Sequence, residues 1–180
     1  MLSITIPGIE LWDEHKQEFA YESEQILELE HTLVSVSKWE SKWHKSFFSR
    51  QEKTYEEVMD YIKCMTITPN ISPDVYNRLT QVNMDDIQKY IEDPMSATTF
   101  REDKNKKTSR ETITSELVYY WMIALNIPIE FQHWHLNRLM TLIRVCEIKN
   151  APPKKMSKRD IMSRNAALNE ARRKQLNTSG

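Results

Sequence analysis

The chain has 180 residues, of which 39% are hydrophobic and 28% charged, enough apolar material for one domain plus an appendage and too much for wholesale disorder. Only 2 glycines are present, so a phosphate-cradling glycine loop is excluded and a fold of many tight β-turns is disfavoured. The net charge of −1 conceals a gradient: residues 1–31 hold eight acids against Lys16, or −7, and residues 151–180 hold eight bases against Asp160 and Glu170, or +6. Such ends suit a charged arm with a partner, or head-to-tail contact between copies.

The chain opens on a β pattern. Leu2 to Ile6 alternates apolar and polar, Pro7-Gly8 makes a turn, and Ile9 to Trp12 alternates again. A third alternating run, Ile26 to His31, predicts a small three-stranded antiparallel sheet with Leu27 and Leu29 inward and Glu28 and Glu30 toward solvent. From about Leu33 the period becomes helical, with Val36, Trp39, Trp43 and Phe47 on one stripe. Thr54 with Glu57 reads as a capping box opening a helix to about Met65, whose apolar face is Val58, Tyr61, Ile62 and Met65. Ser72-Pro73 predicts a capped short helix ending near Thr80, and Asn83 with Asp86 predicts another start, running to about Glu92.

Pro94 stops that pattern, and Arg101 to Arg110 reads as a polar loop. Glu111 to Leu125 then predicts a helix buried nearly all round, capped from Thr108 or Ser109 and stopped at Asn126. Ile129 to Lys149 predicts the longest helix, with a broad apolar face that includes Trp134, Leu139, Met140, Leu142, Ile143 and Cys146. These two form the expected central hairpin of the core. Pro152-Pro153 ends the domain, after which Ser157 and Asp160 cap a basic helix reaching about Leu176. The predicted class is therefore α+β and mainly helical. One domain covers 1–150 (β-rich 1–31, helical 33–150), and a basic helical arm covers 151–180.

No apolar stretch approaches the roughly 20 residues needed to span a bilayer, and no secretory signal is apparent at the start. Cys64 and Cys146 lie in apolar helical patterns, as buried free thiols of a reducing cytoplasm do.

Chemistry finds little footing. His133 and His135 stand two apart, which on a helix points the rings about 200° from each other and forbids a shared metal. They read instead as structural histidines flanking a core tryptophan. Neither cysteine sits beside a basic cluster or at a helix N-terminus that would activate it. No catalytic residue, cofactor or metal is expected. Trp39 and Trp43 form an aromatic ridge among Lys38, Lys42 and Lys45, which is either core packing or an interface anchor. Lys158, Arg159, Arg172 and Arg173 of the arm suit an acidic protein surface. Nucleic acid is the lesser expectation, because no aromatics are interleaved for base stacking and the whole chain is not basic.

Four runs carry a resemblance: Leu33 to Trp43 (LVSVSKWESKW), Asp60 to Thr66 (DYIKCMT), Glu116 to Met122 (ELVYYWM) and Trp134 to Leu139 (WHLNRL), with the tail from Pro152 to Ser157. Together they resemble tailed-bacteriophage tail assembly chaperones, over nearly the whole chain. The resemblance implies a non-catalytic helper in the host cytoplasm that covers the apolar surface of the tape measure protein until tail tube subunits polymerise around it. It also implies contact with other tail proteins. Nine methionines would supply deformable contacts for such a holder, and the charge gradient would set register between copies. The rival readings are a structural virion protein of the tail or head–tail junction, and a nucleic-acid-binding accessory protein.

Overall fold

The computed structural model describes residues 1–13, 17–100, 111–152 and 158–177. The chain is α+β and mainly helical, and it divides into two compact units, Met1–Glu147 and Ile148–Gly180. The division falls three residues before the boundary expected at 150.

In the first unit the opening alternation forms β1 (Leu2–Ile6), paired antiparallel with β4 (Gln25–Leu29), so that Leu2 faces Leu29 and Ile6 faces Gln25. Ile4, Ile6, Leu27 and Leu29 are buried, while Ser3, Thr5 and Ile26 on the other face are exposed. Period-2 burial follows from the pleat. Two further strands, β2 (Ile9–Asp13) and β3 (Glu18–Glu22), make a separate antiparallel ribbon between them. The expected single sheet of three strands is thus corrected to two ladders of two strands. The missed strand, Glu18-Phe19-Ala20-Tyr21-Glu22, sends Phe19 and Tyr21 to solvent rather than to the core. At the ribbon's entry Gly8 leaves room for the next strand, since a Cβ there would lie 2.7 Å from Tyr21 Oη. Arg78 closes the base of the ribbon, with an Nη2–carboxylate distance of 3.3 Å to Glu22 and an Nη1–H donated to the Pro7 carbonyl at 3.3 Å.

Helices α1 (Leu33–Trp43), α2 (Tyr55–Met65) and α3 (Gln81–Glu92) all start from threonines. Thr32, Thr54 and Thr80 are N-caps, and each accepts the backbone N–H three residues on, from Ser35, Glu57 and Asn83, whose side chains accept in return. The expected start at Asn83 is corrected: Asn83 is the third helical residue and answers the Thr80 cap. Thr54 and Glu57 behave as expected. Ser72 makes no capping bond, and Pro73–Arg78 winds as a 3₁₀ helix. His44 ends α1 in the left-handed conformation, φ 51°.

The core packs α1 against α2 and sets α3 beside β1. Glu30 N–H donates to Met65 O and Ile67 N–H to Glu28 O, both at 2.9 Å, which extends β4 onto the chain leaving α2. Glu40, buried, uses its carboxylate as a bracket: one oxygen accepts Phe47 N–H at 2.7 Å and the other accepts Ser115 N–H at 2.7 Å. That second bond sits at the first residue of α4 (Ser115–Ala124), where a helix N-terminus favours negative charge.

Two expected helices change. Thr114, not Thr108 or Ser109, caps α4, and those two, like the rest of the polar run 101–110, lie outside the described residues. Nor is α4 buried all round: Ser115, Val118 and Met122 are buried, whereas Glu116, Tyr120, Ile123 and Ala124 are exposed. The stretch from Ile129 is not one helix. It is a 3₁₀ helix (Ile129–His133), two extended residues, and then α5 (Leu136–Asn150). The break has a tertiary cause, because Thr32 bridges to His135 and Leu136 N–H donates to His31 O at 2.8 Å. Leu136, Leu139 and Ile143 carry the buried face of α5, and Trp134 falls outside the helix.

The second unit carries α6 (Lys158–Leu176), at 19 residues the longest helix described. None of its residues is buried. The expected cap Ser157 lies outside the described residues, while Asp160 occupies the first turn.

Candidate binding surfaces

Four places collect aromatic, titratable or basic side chains. The first is the ridge on α1. Trp39 is 1% exposed and donates its Nε1–H to the Glu57 carbonyl at 2.8 Å, so it is a core strut joining α1 to α2. A partner therefore cannot read Trp39 in the folded chain, and packing rather than interface anchoring explains it. Trp43, one turn on, differs. It is half-buried, its Nε1–H has no protein acceptor, and it lines a groove of about 370 Å³ with Tyr55, Met59 and Tyr76. The Lys42 and Lys45 ammonium groups each lie 5.9 Å from its ring centre, and they pair with Asp60 and Glu57 on α2. The Lys45 hydrogen bond, helped by the Thr54 N–H, holds the Glu57 carboxyl below its usual range. Trp43 is thus the one member of the ridge that keeps an accessible ring.

The second place is buried and polar. His31 and His135 meet edge to face with ring centres 5.0 Å apart, across the Thr32–His135 bridge. Burial, reinforced by the neighbouring His135, lowers the His31 pKa to about 3, so its ring is neutral. Burial also raises Tyr61, which keeps its proton and shares a hydrogen bond with His31 Nδ1. His135 Nε2–H donates to Tyr90 O at 2.9 Å, and burial lowers His135 too. His31 and His135 are structural histidines, whereas His133, expected to be one beside His135, is exposed. The flanking residue is not a core tryptophan as expected: Trp134 is half-buried, stacked on Phe131 at 4.0 Å with Arg138 over its other side at 4.2 Å. Among the described residues no group of three or more His, Cys, Asp or Glu is arranged to hold a metal ion. Cys64 and Cys146 are free and half-buried, and burial raises the Cys64 thiol.

The third place lies beside α4. A groove of about 550 Å³ is lined by Phe100, Trp121, Met140, Ile143 and Arg144, with the Arg144 guanidinium 4.0 Å from the Phe100 ring centre. Next to Trp121 on α4, Tyr120 is 62% and Ile123 73% exposed, on one stripe with Glu116. This is the most apolar of the described helices, and Tyr120 and Ile123 leave one of its faces exposed. The sequence held the signal, in a segment apolar on every side, but burial inside a single chain was the wrong inference from it.

The fourth place is the arm. Lys158, Arg159, Arg172 and Arg173 are all exposed on α6, and Lys174 pairs with Glu170 at 2.9 Å. The six candidate residues thus separate into one core strut, one groove residue and four solvated bases. The ribbon aromatics and the α4 stripe add exposed aromatic and apolar surface that the residue pattern does not announce.

No protein-family model, curated protein or solved structure matches this chain. Among the described residues, no helix is long and apolar enough to cross a membrane.

Proposed function

We propose that this chain is a non-catalytic tail assembly chaperone that holds apolar helical segments of a phage tape measure protein. The observation that carries the reading is the uncovered face of α4: Tyr120 and Ile123 stand exposed beside the groove of Trp121 and Met140. An amphipathic helix laid along that stripe would bury both side chains, contributing roughly 2–5 kcal/mol before the cost of association. Such a margin suits a holder that must let go when tube subunits arrive. The motif resemblance from Leu33 to Ser157 supplies the identity of the client.

The test is co-expression of the full chain with the tape measure protein of the same genome, followed by affinity capture. The expected result is a soluble complex that Tyr120→Asp/Ile123→Asp weakens at least tenfold, with Trp43→Ala having a smaller effect. A tape measure protein that aggregates whether or not the chain is present would overturn the reading. Stoichiometric presence of the chain in purified virions would do so in favour of a structural tail protein.

A further inference from the structure

Two elements of this chain carry exposed apolar side chains, and their charges are opposite. The β2–β3 ribbon has five residues per strand, and Trp12, Phe19 and Tyr21 on one face are 52%, 69% and 69% exposed. The Trp12 and Phe19 rings meet edge to face across the ladder at 5.0 Å. Glu10 shares that face, and the exposed Glu18 and Glu24 mark the ribbon's two ends. A ribbon of only two strands is marginal in water by itself, and its aromatic face stands exposed. Helix α6 has the complementary defect. None of its residues is buried, so it lacks the packing of an apolar face from which most helical stability in proteins comes. Ile161 and Leu168 lie seven residues apart on one stripe of it, with Arg172 continuing the stripe and the exposed Lys158 flanking it.

We propose that α6 of one copy seats on the aromatic face of the β2–β3 ribbon of a second copy, near the ribbon's acidic residues, joining chains head to tail. The dimensions agree: Ile161 to Leu168 spans about 10 Å of helix, within the roughly 17 Å of a five-residue strand. Apolar stripe meets Trp12 and Phe19, and arginines reach both the carboxylates and the aromatic faces. A second copy is the partner the charges select, because ends of −7 and +6 in one sequence complement each other nearly one for one. Every chain carries both halves of this contact, so it is heterologous and repeats along a row of copies. The contact is independent of the α4 face assigned to the client.

Analytical ultracentrifugation of the full chain alone tests it. The expected behaviour is mass rising above 21.5 kDa with concentration. It should return to one chain when salt is raised from ~0.1 M to ~1 M, as the screening length falls from about 10 Å to about 3 Å. Trp12→Ser/Phe19→Ser (with Glu10→Lys/Glu18→Lys in its place should the former misfold) and Arg172→Glu/Arg173→Glu should each be monomeric. Their equimolar mixture should form a species of two chains and no more, because one intact ribbon then meets one intact arm. A wild-type chain that stays monomeric throughout overturns the proposal. So do oligomers that survive either substitution, or monomeric variants whose mixture remains monomeric, the signature of an arm that docks on its own chain.

Discussion

Acidification should destabilise this protein well before its carboxylates protonate, and His31 is the reason. Its pKa falls from 6.5 in the unfolded chain to about 3 in the folded one, chiefly through burial, so the native state takes up a proton later than the unfolded state does. The stabilisation from a neutral His31 is therefore complete above about pH 6.5 and is lost progressively as pH falls toward 3. One pKa unit is about 1.4 kcal/mol, so the loss between pH 6.5 and 4.5 is roughly 3 kcal/mol. That is a large share of the 5–15 kcal/mol typical of a domain. His135, also lowered by burial, acts in the same direction. The assay is urea denaturation at half-unit steps from pH 7.5 to 4.5, for the wild type and for His31→Gln. Glutamine keeps an acceptor for the Tyr61 hydroxyl and removes the titration. The variant should be less stable at pH 7.5, yet its stability should fall less steeply, by about 1.4 kcal/mol per pH unit below pH 6. Parallel curves would refute the reasoning, because a charge-insensitive His31 is incompatible with its burial.

Other substitutions test the supports of the fold. Glu40→Ala strands the N–H groups of Phe47 and Ser115 and should cost about 3 kcal/mol in chemical denaturation, with Glu40→Gln recovering part of it. Trp39→Phe should cost about 2 kcal/mol through the lost bond to the Glu57 carbonyl and the void left behind, whereas Trp43→Phe at the half-exposed groove should change melting little. Equal costs for the two tryptophans would contradict their different burial. Thr54→Ala should remove about 1 kcal/mol, read as a shift in urea midpoint at unchanged slope.

The local grammar of the chain is legible in its residue order. The Thr54–Glu57 box and the alternation that buries Ile4, Ile6, Leu27 and Leu29 depend on residues close in sequence, whose hydrogen bonds and periodicity act over one turn or one strand. What failed was decided at long range. The break before α5 exists because residues 31 and 32 bond to 135 and 136, a pairing that no pattern within Ile129–Lys149 records. The β3 strand escaped notice because Phe19 and Tyr21 face solvent, and an apolar strand face that meets no core has no reason to mark itself.

The candidate site divided the same way. Clustered bases on α6 were readable as exposed, since charge seldom enters a core. Trp39 and Trp43 share a stripe and a chemistry, and one turn of helix separates a buried strut from a groove residue. Apolar residues are placed by whatever surface remains to cover them. For α1 that surface lies inside this chain, over α2. For the outer face of α4 no described residue supplies it, and only the packed arrangement of its neighbours decides that Tyr120 and Ile123 stand in the open.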